Sequence, residues 1–194
     1  MNIRLAIREH ASVVASLHQQ EISSGFLSSL PRMFLAKFYE GIIRYPGGFC
    51  VVAEDGDRVV GFIAGITDMR AFSKFFLRHF FLAAVFLLPR MIGISIIRKF
   101  FESLRYSQRQ DDLPKAELLT MAVAKDFQGR GVAKEMFTLF LGEMRARGVK
   151  VFRVLVGEKL QRAIAWYEKQ GFRLAKSMSV HGKERSRIYL YTIS

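Results

Sequence analysis

The sequence predicts a single α/β domain built on a mixed, largely antiparallel sheet flanked by helices. The length of 194 residues fits one domain. A hydrophobic content of 51% with only four prolines supplies a sizeable core. Two β-rich runs flank an Asp-Gly step in the N-terminal half, and strands alternate with helices after Pro114. We therefore treat residues 1–194 as one domain.

The N-terminal third predicts a strand followed by two helices. Apolar and polar residues alternate over Ile3–Arg8, and helical spacing follows over Ala11–Leu17. A second helix is predicted to begin near Pro31 and to end before Tyr45-Pro46.

A β-hairpin is predicted next. Phe49–Ala53 and Arg58–Ala64 are rich in residues that favour strands, and they flank Asp55-Gly56. These two strands are expected to be antiparallel neighbours.

Residues 71–113 differ in composition from the rest of the chain. They hold eight of the 18 phenylalanines and an apolar run, Phe80–Ile97, that is broken at Pro89. A membrane span would place the flanking strands on opposite sides of a bilayer, so we predict a helical hairpin inserted between strands 3 and 4. Its apolar face is expected to pack on the domain, on a partner or on a membrane surface.

The remaining elements follow a regular order. The predicted elements are a strand over Glu117–Val123, a loop over Ala124–Arg130, a helix over Gly131–Arg147, a strand over Val151–Val156, a helix over Gln161–Lys169, and two strands around His181-Gly182.

The charge and the cysteine content limit which binding partners and which cellular compartment we expect for the protein. The net charge is +13, and residues 114–194 carry +9 of it. Such a field attracts phosphate-bearing molecules, nucleic acid or anionic lipid. The single cysteine, Cys50, excludes an internal disulfide, and the N-terminus lacks the apolar core of a signal peptide. We expect a cytoplasmic protein.

The segment from Gln128 to Lys134 is the strongest chemical signal. It runs from the end of a strand into the start of a helix and reads Gln128-Gly129-Arg130-Gly131-Val132-Ala133-Lys134. The first N–H groups of a helix lack internal partners, and glycines let an anion approach the main chain. A diphosphate fits such a loop.

Two common phosphate-binding motifs do not match this loop. The chain has no Gly-x-x-x-x-Gly-Lys-Ser/Thr string, and Lys134 stands where a dinucleotide fingerprint has its third glycine. The pattern Gln/Arg-x-x-Gly-x-Gly/Ala is met in full.

This pattern resembles the pyrophosphate loop of the GCN5-related N-acetyltransferase (GNAT) family, which binds acetyl-CoA. A second string, Ala163 to Phe172, is similar to the family's Ala-x-x-x-Tyr-Glu-Lys-x-Gly-Phe segment. The resemblance implies a GNAT-like sheet, with residues 71–113 as an insertion, and acetyl-CoA as cosubstrate.

Site residues follow from the resemblance position by position. It implies that main-chain groups around Met121 and Val123 bind the acetyl carbonyl and the pantetheine arm. It also implies that the diphosphate is held by Gln128, Gly129, Arg130, Gly131, Val132, Ala133 and Lys134. Leu160 stands where many members have an asparagine that contacts pantetheine.

Two side chains are candidates for proton transfer. Tyr167 is the candidate acid, because a phenol stays protonated at neutral pH and can protonate the departing thiolate. Glu117 is the candidate base by resemblance, with a solvent-facing strand-end residue as the alternative. His18 and Glu21 are alternative contacts to the acceptor. The histidines show no metal-ligand spacing, so we predict no metal.

We therefore expect an N-acetyltransferase that acts on a primary amine, for which a nucleotide-linked amino sugar is one candidate. Two rival functions stay open: transfer of a longer acyl chain, as in autoinducer and N-acyl amino acid synthases, and a non-catalytic, membrane-associated CoA-binding module. No nucleic-acid partner is expected, since the basic residues are dispersed among apolar positions. Peripheral membrane contact through residues 71–113 and a homodimer are further expectations.

Overall fold

The computed structural model describes residues 1–22, 27–79, 112–180 and 184–193. In these ranges the chain forms seven strands and five α-helices. The bounds are β1 Asn2–Leu5, α1 Ala11–Glu21, α2 Arg32–Arg44, β2 Gly48–Asp55, β3 Arg58–Ile66, α3 over 69–79, β4 Glu117–Val123, α4 Val132–Ala146, β5 Val151–Gly157, α5 Gln161–Lys169, β6 Arg173–Val180 and β7 Glu184–Thr192.

All seven strands belong to one mixed sheet in the order β1-β2-β3-β4-β5-β7-β6. Every neighbouring pair is antiparallel except β4 and β5, which are parallel. The predicted fold class, a largely antiparallel sheet flanked by helices, is confirmed. The predicted hairpin is also present: Asp55 pairs with Arg58, and Gly56 has a φ of +58° in the turn between them.

Helices α1, α2 and α3 cover one face of the sheet. Phe62 of β3 lies on this face, where its ring is 5.4 Å from that of Tyr39 in α2. Phe72 and Phe76 of α3 each lie 5.7 Å from the ring of Phe38. All five side chains are buried, so β3, α2 and α3 share one aromatic core.

Helix α3 includes the first part of the segment predicted as a helical insertion. The helix begins at residue 69, and its first turns belong to the core of the domain, which is one of the three placements expected for the apolar face of this segment. The rest of the predicted helical hairpin, residues 80–111, lies outside the described residues. The role of its apolar face therefore stays a prediction.

Helix α4 covers the opposite face. Consecutive residues of a strand point to opposite faces. Because Phe62 faces α1 and α2, Gly61 and Gly65 lie on the face that α4 covers. A Cβ atom on Gly65 would lie 2.5 Å from Phe140 Cε2 of α4. The absence of a side chain at Gly65 thus lets α4 pack close to β3.

The N-terminal boundaries differ slightly from the prediction. β1 ends at Leu5 instead of continuing to Arg8, because residues 8–10 form a 3-10 turn in which His10 Nδ1 accepts a hydrogen bond from the Ile7 N–H. α1 continues past Leu17 to Glu21.

Candidate active site

The sheet divides between β4 and β5. These parallel strands pair only at Glu117 with Arg153 and at Leu118 with Val154. β4 continues to Val123 and β5 to Gly157 with no further pairing between them. A gap therefore opens between the C-terminal halves of two central strands, where main-chain groups are available to a ligand.

A bulge lies where this gap begins. Ala64 pairs with Thr120, but the next residue of β3, Gly65, pairs with Leu118. Leu119 is the extra residue of β4 and has no partner in β3. Such a bulge changes which main-chain groups of a strand face each neighbour.

The register after the bulge determines where the main-chain N–H and C=O groups of Met121 and Val123 point. Ala124 N–H donates to Val60 C=O at 2.8 Å. Because bonded and non-bonded pairs alternate in an antiparallel ladder, Ala122 also bonds to β3, whereas the N–H and C=O groups of Met121 and Val123 point away from it. Met121 and Val123, which the resemblance implied for the acetyl and pantetheine groups, thus direct main-chain groups toward the gap, although the Val123 C=O already accepts a hydrogen bond from Gln128.

A short turn leads from β4 to α4. Phe127 N–H donates to Ala124 C=O at 2.8 Å, which closes a 3-10 turn over Lys125–Phe127. The side chain of Gln128 then reaches back, and its Nε2 atom donates to Val123 C=O at 3.0 Å. Gln128 thereby fixes the start of the glycine-containing loop next to the gap.

The main-chain N–H groups of this loop are available. Gly129 and Gly131 have φ angles of +79° and +86°, in the left-handed region that side chains disfavour. Within the described ranges, the N–H groups of residues 129–133 donate to no protein atom. The first helical bonds begin with Lys134 and Glu135, which both donate to Gly131 C=O at about 3 Å. Five consecutive amides are therefore free at the positive end of α4.

Cationic side chains border the loop. Arg130 and Lys134 are exposed, and the Arg130 guanidinium lies over the Phe127 ring at 5.1 Å. Arg58 lies over the same ring at 5.5 Å and forms an ion pair with Asp126 at 2.6 Å. This pair raises the pKa of Arg58 and lowers the pKa of Asp126 through a hydrogen bond between the two side chains. The loop combines free amides, open space at Gly129 and nearby positive charge, which suits a diphosphate.

Comparison with known proteins decides the family. Residues 14–172 match the model of the acetyltransferase (GNAT) family. The chain belongs to the GNAT family. It is accordingly an acyl-CoA N-acyltransferase, and its cosubstrate is acetyl-CoA.

Solved structures of low sequence identity share the GNAT fold. SsHAT has a TM-score of 0.73 at 18% identity, with 100% of this chain and 98% of that chain covered. The ribosomal-protein-S18-alanine N-acetyltransferase from Escherichia coli has a TM-score of 0.62 at 15% identity, with coverage of 100% and 94%. YncA from Salmonella typhimurium, solved with its cofactor acetyl-CoA, has a TM-score of 0.63 at 14% identity and the same coverage. No curated protein sequence matches significantly.

Tyr167, the candidate acid of this GNAT enzyme, lies on the buried side of α5. Its ring packs against Trp166 at 5.3 Å and Phe172 at 5.0 Å, and 6% of the residue is exposed. Within the described ranges its hydroxyl group forms no hydrogen bond. Burial raises the pKa of the Tyr167 phenol above its usual value, so the hydroxyl keeps its proton at neutral pH.

Glu117, the candidate base, is not solvent-facing. It is 8% exposed, and its Oε2 atom accepts a hydrogen bond from Arg153 Nε at 2.9 Å. The two residues are direct neighbours in the short parallel ladder of β4 and β5. The structure thus places Glu117 at the closed end of the gap, in a buried pair of opposite charges.

Leu160 and His18 differ in solvent exposure. Leu160 precedes α5, and 41% of it is exposed. His18 is buried between α1 and the sheet, which excludes it as a surface contact for the acceptor.

The sequence analysis did not predict two contacts with the connection between β4 and α4. Glu21 Oε1 of α1 accepts a hydrogen bond from Lys125 N–H at 3.1 Å, and Arg58 binds Asp126. The partners in these contacts are 104 and 68 residues apart. Local sequence patterns carry no information about such pairs.

The described ranges contain no group of three or more His, Cys, Asp or Glu side chains suited to a metal ion. Among the helices in those ranges, none has the length and apolar character needed to cross a membrane.

Proposed function

We propose that the protein transfers the acetyl group of acetyl-CoA directly to the primary amine of a small-molecule acceptor. The observation that carries the proposal is the row of free amides at residues 129–133, next to a gap in the sheet. The amides bind the diphosphate, and the pantetheine arm extends along Met121 and Val123 into the gap. The thioester then lies near the bulge of β4.

The reaction proceeds in a ternary complex. The amine nitrogen bonds to the thioester carbonyl carbon, and negative charge develops on the carbonyl oxygen, where a main-chain N–H of β4 stabilises it. Breaking the C–S bond then releases the thiolate. The proton lost by the amine passes to a base, and the sulfur receives a proton from an acid, which yields an amide and free CoA.

Tyr167 is the proposed acid. Its hydroxyl group has no partner within the described ranges and is protonated at neutral pH. A phenol with a raised pKa is a weaker acid, so its main contribution is a hydrogen bond that strengthens as charge develops on the sulfur. Proton transfer then completes the step and opposes the reverse reaction.

Glu117 is the proposed base, and its ion pair with Arg153 affects how it can accept a proton. Arg153 competes with the amine for the Glu117 carboxylate. Glu117 therefore acts as base when the amine, directly or through water, competes successfully with Arg153 for the carboxylate.

The acceptor is proposed to carry negative charge. The excess of basic residues lies in the C-terminal part, which contains the candidate site. A nucleotide-linked amino sugar combines a primary amine with phosphate groups that this charge attracts.

A free-thiol release assay across a panel of amines tests the proposal. Tyr167→Phe should lower kcat by about 100-fold, the low end of general acid catalysis, with unchanged affinity for acetyl-CoA. Tyr45→Phe is the matched control, because the Tyr45 ring packs on Phe72 of α3, away from the gap. Unchanged turnover in Tyr167→Phe would remove Tyr167 from the mechanism.

The same assay separates acetyl from longer acyl chains. We expect acetyl-CoA to be preferred over long-chain acyl-CoA thioesters at equal concentration. A preference for long chains would favour the acyltransferase alternative. Absence of turnover despite binding of acetyl-CoA would favour the non-catalytic alternative.

A cytoplasmic location, a homodimer and peripheral membrane contact complete the proposal as further predictions. The free thiol of buried Cys50 is consistent with a reducing compartment. Residues 80–111, on which membrane contact depends, lie outside the described residues.

A further inference from the structure

Each residue of the 3-10 turn before the loop is held by a different part of the chain. Lys125 N–H donates to Glu21 Oε1, at the end of α1, over 3.1 Å. The Asp126 carboxylate accepts two hydrogen bonds from the guanidinium of Arg58 in β3, at 2.6 and 3.1 Å. Phe127 is half-buried and packs on the core of the domain. The turn is therefore fixed by tertiary contacts, whereas the loop that follows it has free amides.

Two guanidinium groups lie over the ring of Phe127. The distances from Cζ to the ring centroid are 5.5 Å for Arg58 and 5.1 Å for Arg130. Arg58 donates through both Nη atoms to Asp126. Arg130 is exposed, and within the described ranges it forms no hydrogen bond or ion pair. Arg58 thus helps to hold the ring, and Arg130 keeps its N–H groups for a ligand.

A guanidinium over an aromatic ring is restricted without losing its hydrogen-bond donors. The attraction acts between the positive charge and the face of the ring, so it uses no N–H group of the cation. An unrestricted arginine side chain loses much conformational freedom when it binds an anion. A side chain that is already restricted in the free protein loses less, and the anion binds more tightly.

Arg130 is also in the right part of the chain to act together with the main chain. It lies between Gly129 and Gly131, inside the row of free amides at residues 129–133. A side chain that begins in this row and lies over Phe127 stays next to any anion that the amides bind. The charged group and the amides can therefore bind the same ligand.

We propose that Phe127 is a positioning residue for acetyl-CoA binding: its ring, held by the ion pair of Arg58 with Asp126, keeps the Arg130 guanidinium beside the free amides, where it binds a phosphate group. Phe127 acts through Arg130 and needs no contact with the ligand. The effect on affinity rests on the proposed function. The placement of Arg130 in the free protein does not.

Four single variants separate this role from plain support of the turn. Phe127→Leu removes the aromatic face and keeps an apolar side chain, whereas Phe127→Tyr keeps the face and is the conservative variant. Arg130→Gln removes the charge. Arg145→Gln is the matched control for a lost charge, because Arg145 is exposed and lies in the last turn of α4, at the opposite end from the loop.

Nuclear magnetic resonance of the free protein tests the placement of Arg130. The ring current of Phe127 should shift the side-chain proton resonances of Arg130 upfield in the wild type and in Phe127→Tyr. Phe127→Leu should lose this shift. Arg130 resonances in the wild type at the positions of an unstructured arginine would overturn the proposal.

Calorimetric titration with acetyl-CoA tests the effect on binding. We expect the affinity to fall by about tenfold in Arg130→Gln, from the loss of charge-assisted hydrogen bonds, and by about threefold in Phe127→Leu, from the loss of one exposed cation–π contact. The double variant should bind no more weakly than Arg130→Gln, and Phe127→Tyr and Arg145→Gln should match the wild type. Additive losses in the double variant would mean that Phe127 only supports the turn, and would overturn the proposal.

The salt dependence of the affinity gives a second readout. Phe127→Leu keeps the charge of Arg130, so its affinity should fall with salt as steeply as that of the wild type, whereas Arg130→Gln should depend less on salt. Wild-type affinity in Phe127→Leu would overturn the inference and leave the proposed function intact. Absence of acetyl-CoA binding by the wild type would overturn both the proposed function and the binding role of Phe127, and upfield Arg130 resonances would then assign the failure to the function and not to the placement of Arg130.

Discussion

A buried pair of opposite charges joins the two strands where the gap begins. Glu117 and Arg153 have side-chain exposures of 11% and 6%. Removing one member of such a pair leaves the other buried and uncompensated, which commonly costs about 3–5 kcal/mol. The pair therefore restricts how β4 and β5 can separate at the closed end of the gap.

Arg153→Met should lower the free energy of unfolding by about 3 kcal/mol, because the buried Glu117 carboxylate then loses its hydrogen bond and ion pair with Arg153. Adding Glu117→Gln to this variant should restore part of the loss, since no charge is left buried. Urea denaturation of the wild type, Arg153→Met, Glu117→Gln and the double variant measures both steps. A double variant that is less stable by the sum of the two single losses would contradict this account.

His18 predicts an acid-dependent loss of stability. Burial lowers the pKa of His18 to about 4, whereas a histidine in the unfolded chain titrates near 6.5. Between these values the unfolded state binds a proton that the folded state does not, so stability falls as pH decreases from about 6.5 to 4. The loss attributable to His18 should reach about 3 kcal/mol.

Denaturation of the wild type and of His18→Gln over this pH range measures the effect. The variant should be less stable at pH 7 and should show a smaller decrease toward pH 4, because glutamine does not titrate. The same pH dependence in both proteins would show that His18 is not the source.

Residues of the site differ in how well the sequence predicts them. The loop from Gln128 to Lys134 is a contiguous pattern, so its conformation could be inferred locally. Glu117 is paired with Arg153, 36 residues away in the chain, and His18 is hydrogen-bonded to Tyr39, 21 residues away. Such contacts arise only from tertiary packing, and no local pattern specifies them.

At the scale of elements, the loop and the first turn of α4 form the binding unit. Gly129 and Gly131 adopt left-handed conformations, with open space around Gly129 where a side chain would begin. A non-glycine residue there costs about 1–2 kcal/mol in strain. It also adds a methyl group on the surface that the diphosphate must approach.

Gly131→Ala should therefore weaken acetyl-CoA binding by at least tenfold and lower stability by about 1 kcal/mol. Gly142→Ala is the matched control, because Gly142 lies in the interior of α4 with open space around it. That change should raise stability by about 0.5–1 kcal/mol and leave binding unchanged. Calorimetric titration measures the affinity of both variants for acetyl-CoA, and thermal unfolding measures their stability. Equal affinity in Gly131→Ala and the wild type would contradict the role of the loop.

Element boundaries were predicted well where periodicity was strong and less well elsewhere. The hairpin of β2 and β3, strand β4 and helix α5 agree closely with the sequence. The bulge in β4 was not predictable, since it is a property of the pairing with β3 and not of β4 itself. The first part of the predicted insertion packs on the domain, as one of the expected placements has it, because its phenylalanines complete the aromatic cluster around Phe38.

At the scale of the whole molecule, the sheet brings together residues from distant parts of the chain. Residues 117–167 include the loop before α4, the buried pair of β4 and β5, and Tyr167 of α5. Helices α1 and α2, which precede them in the chain, pack on the other face of the sheet. The single mixed sheet with helices on both faces is the fold that the resemblance to the GNAT family implied. The acceptor is the part of the function that neither the fold nor the family determines, because it depends on side chains that differ among proteins of the same fold.

The central claim is that free main-chain amides before α4 bind the diphosphate of acetyl-CoA. Calorimetric titration of the wild type with acetyl-CoA and, separately, with pantetheine tests it most directly, since pantetheine lacks the diphosphate and the nucleotide. We predict one binding site for acetyl-CoA, an affinity that falls as salt increases, and at least about 100-fold weaker binding of pantetheine. Equal affinity for the two compounds, or no affinity for acetyl-CoA, would contradict the account.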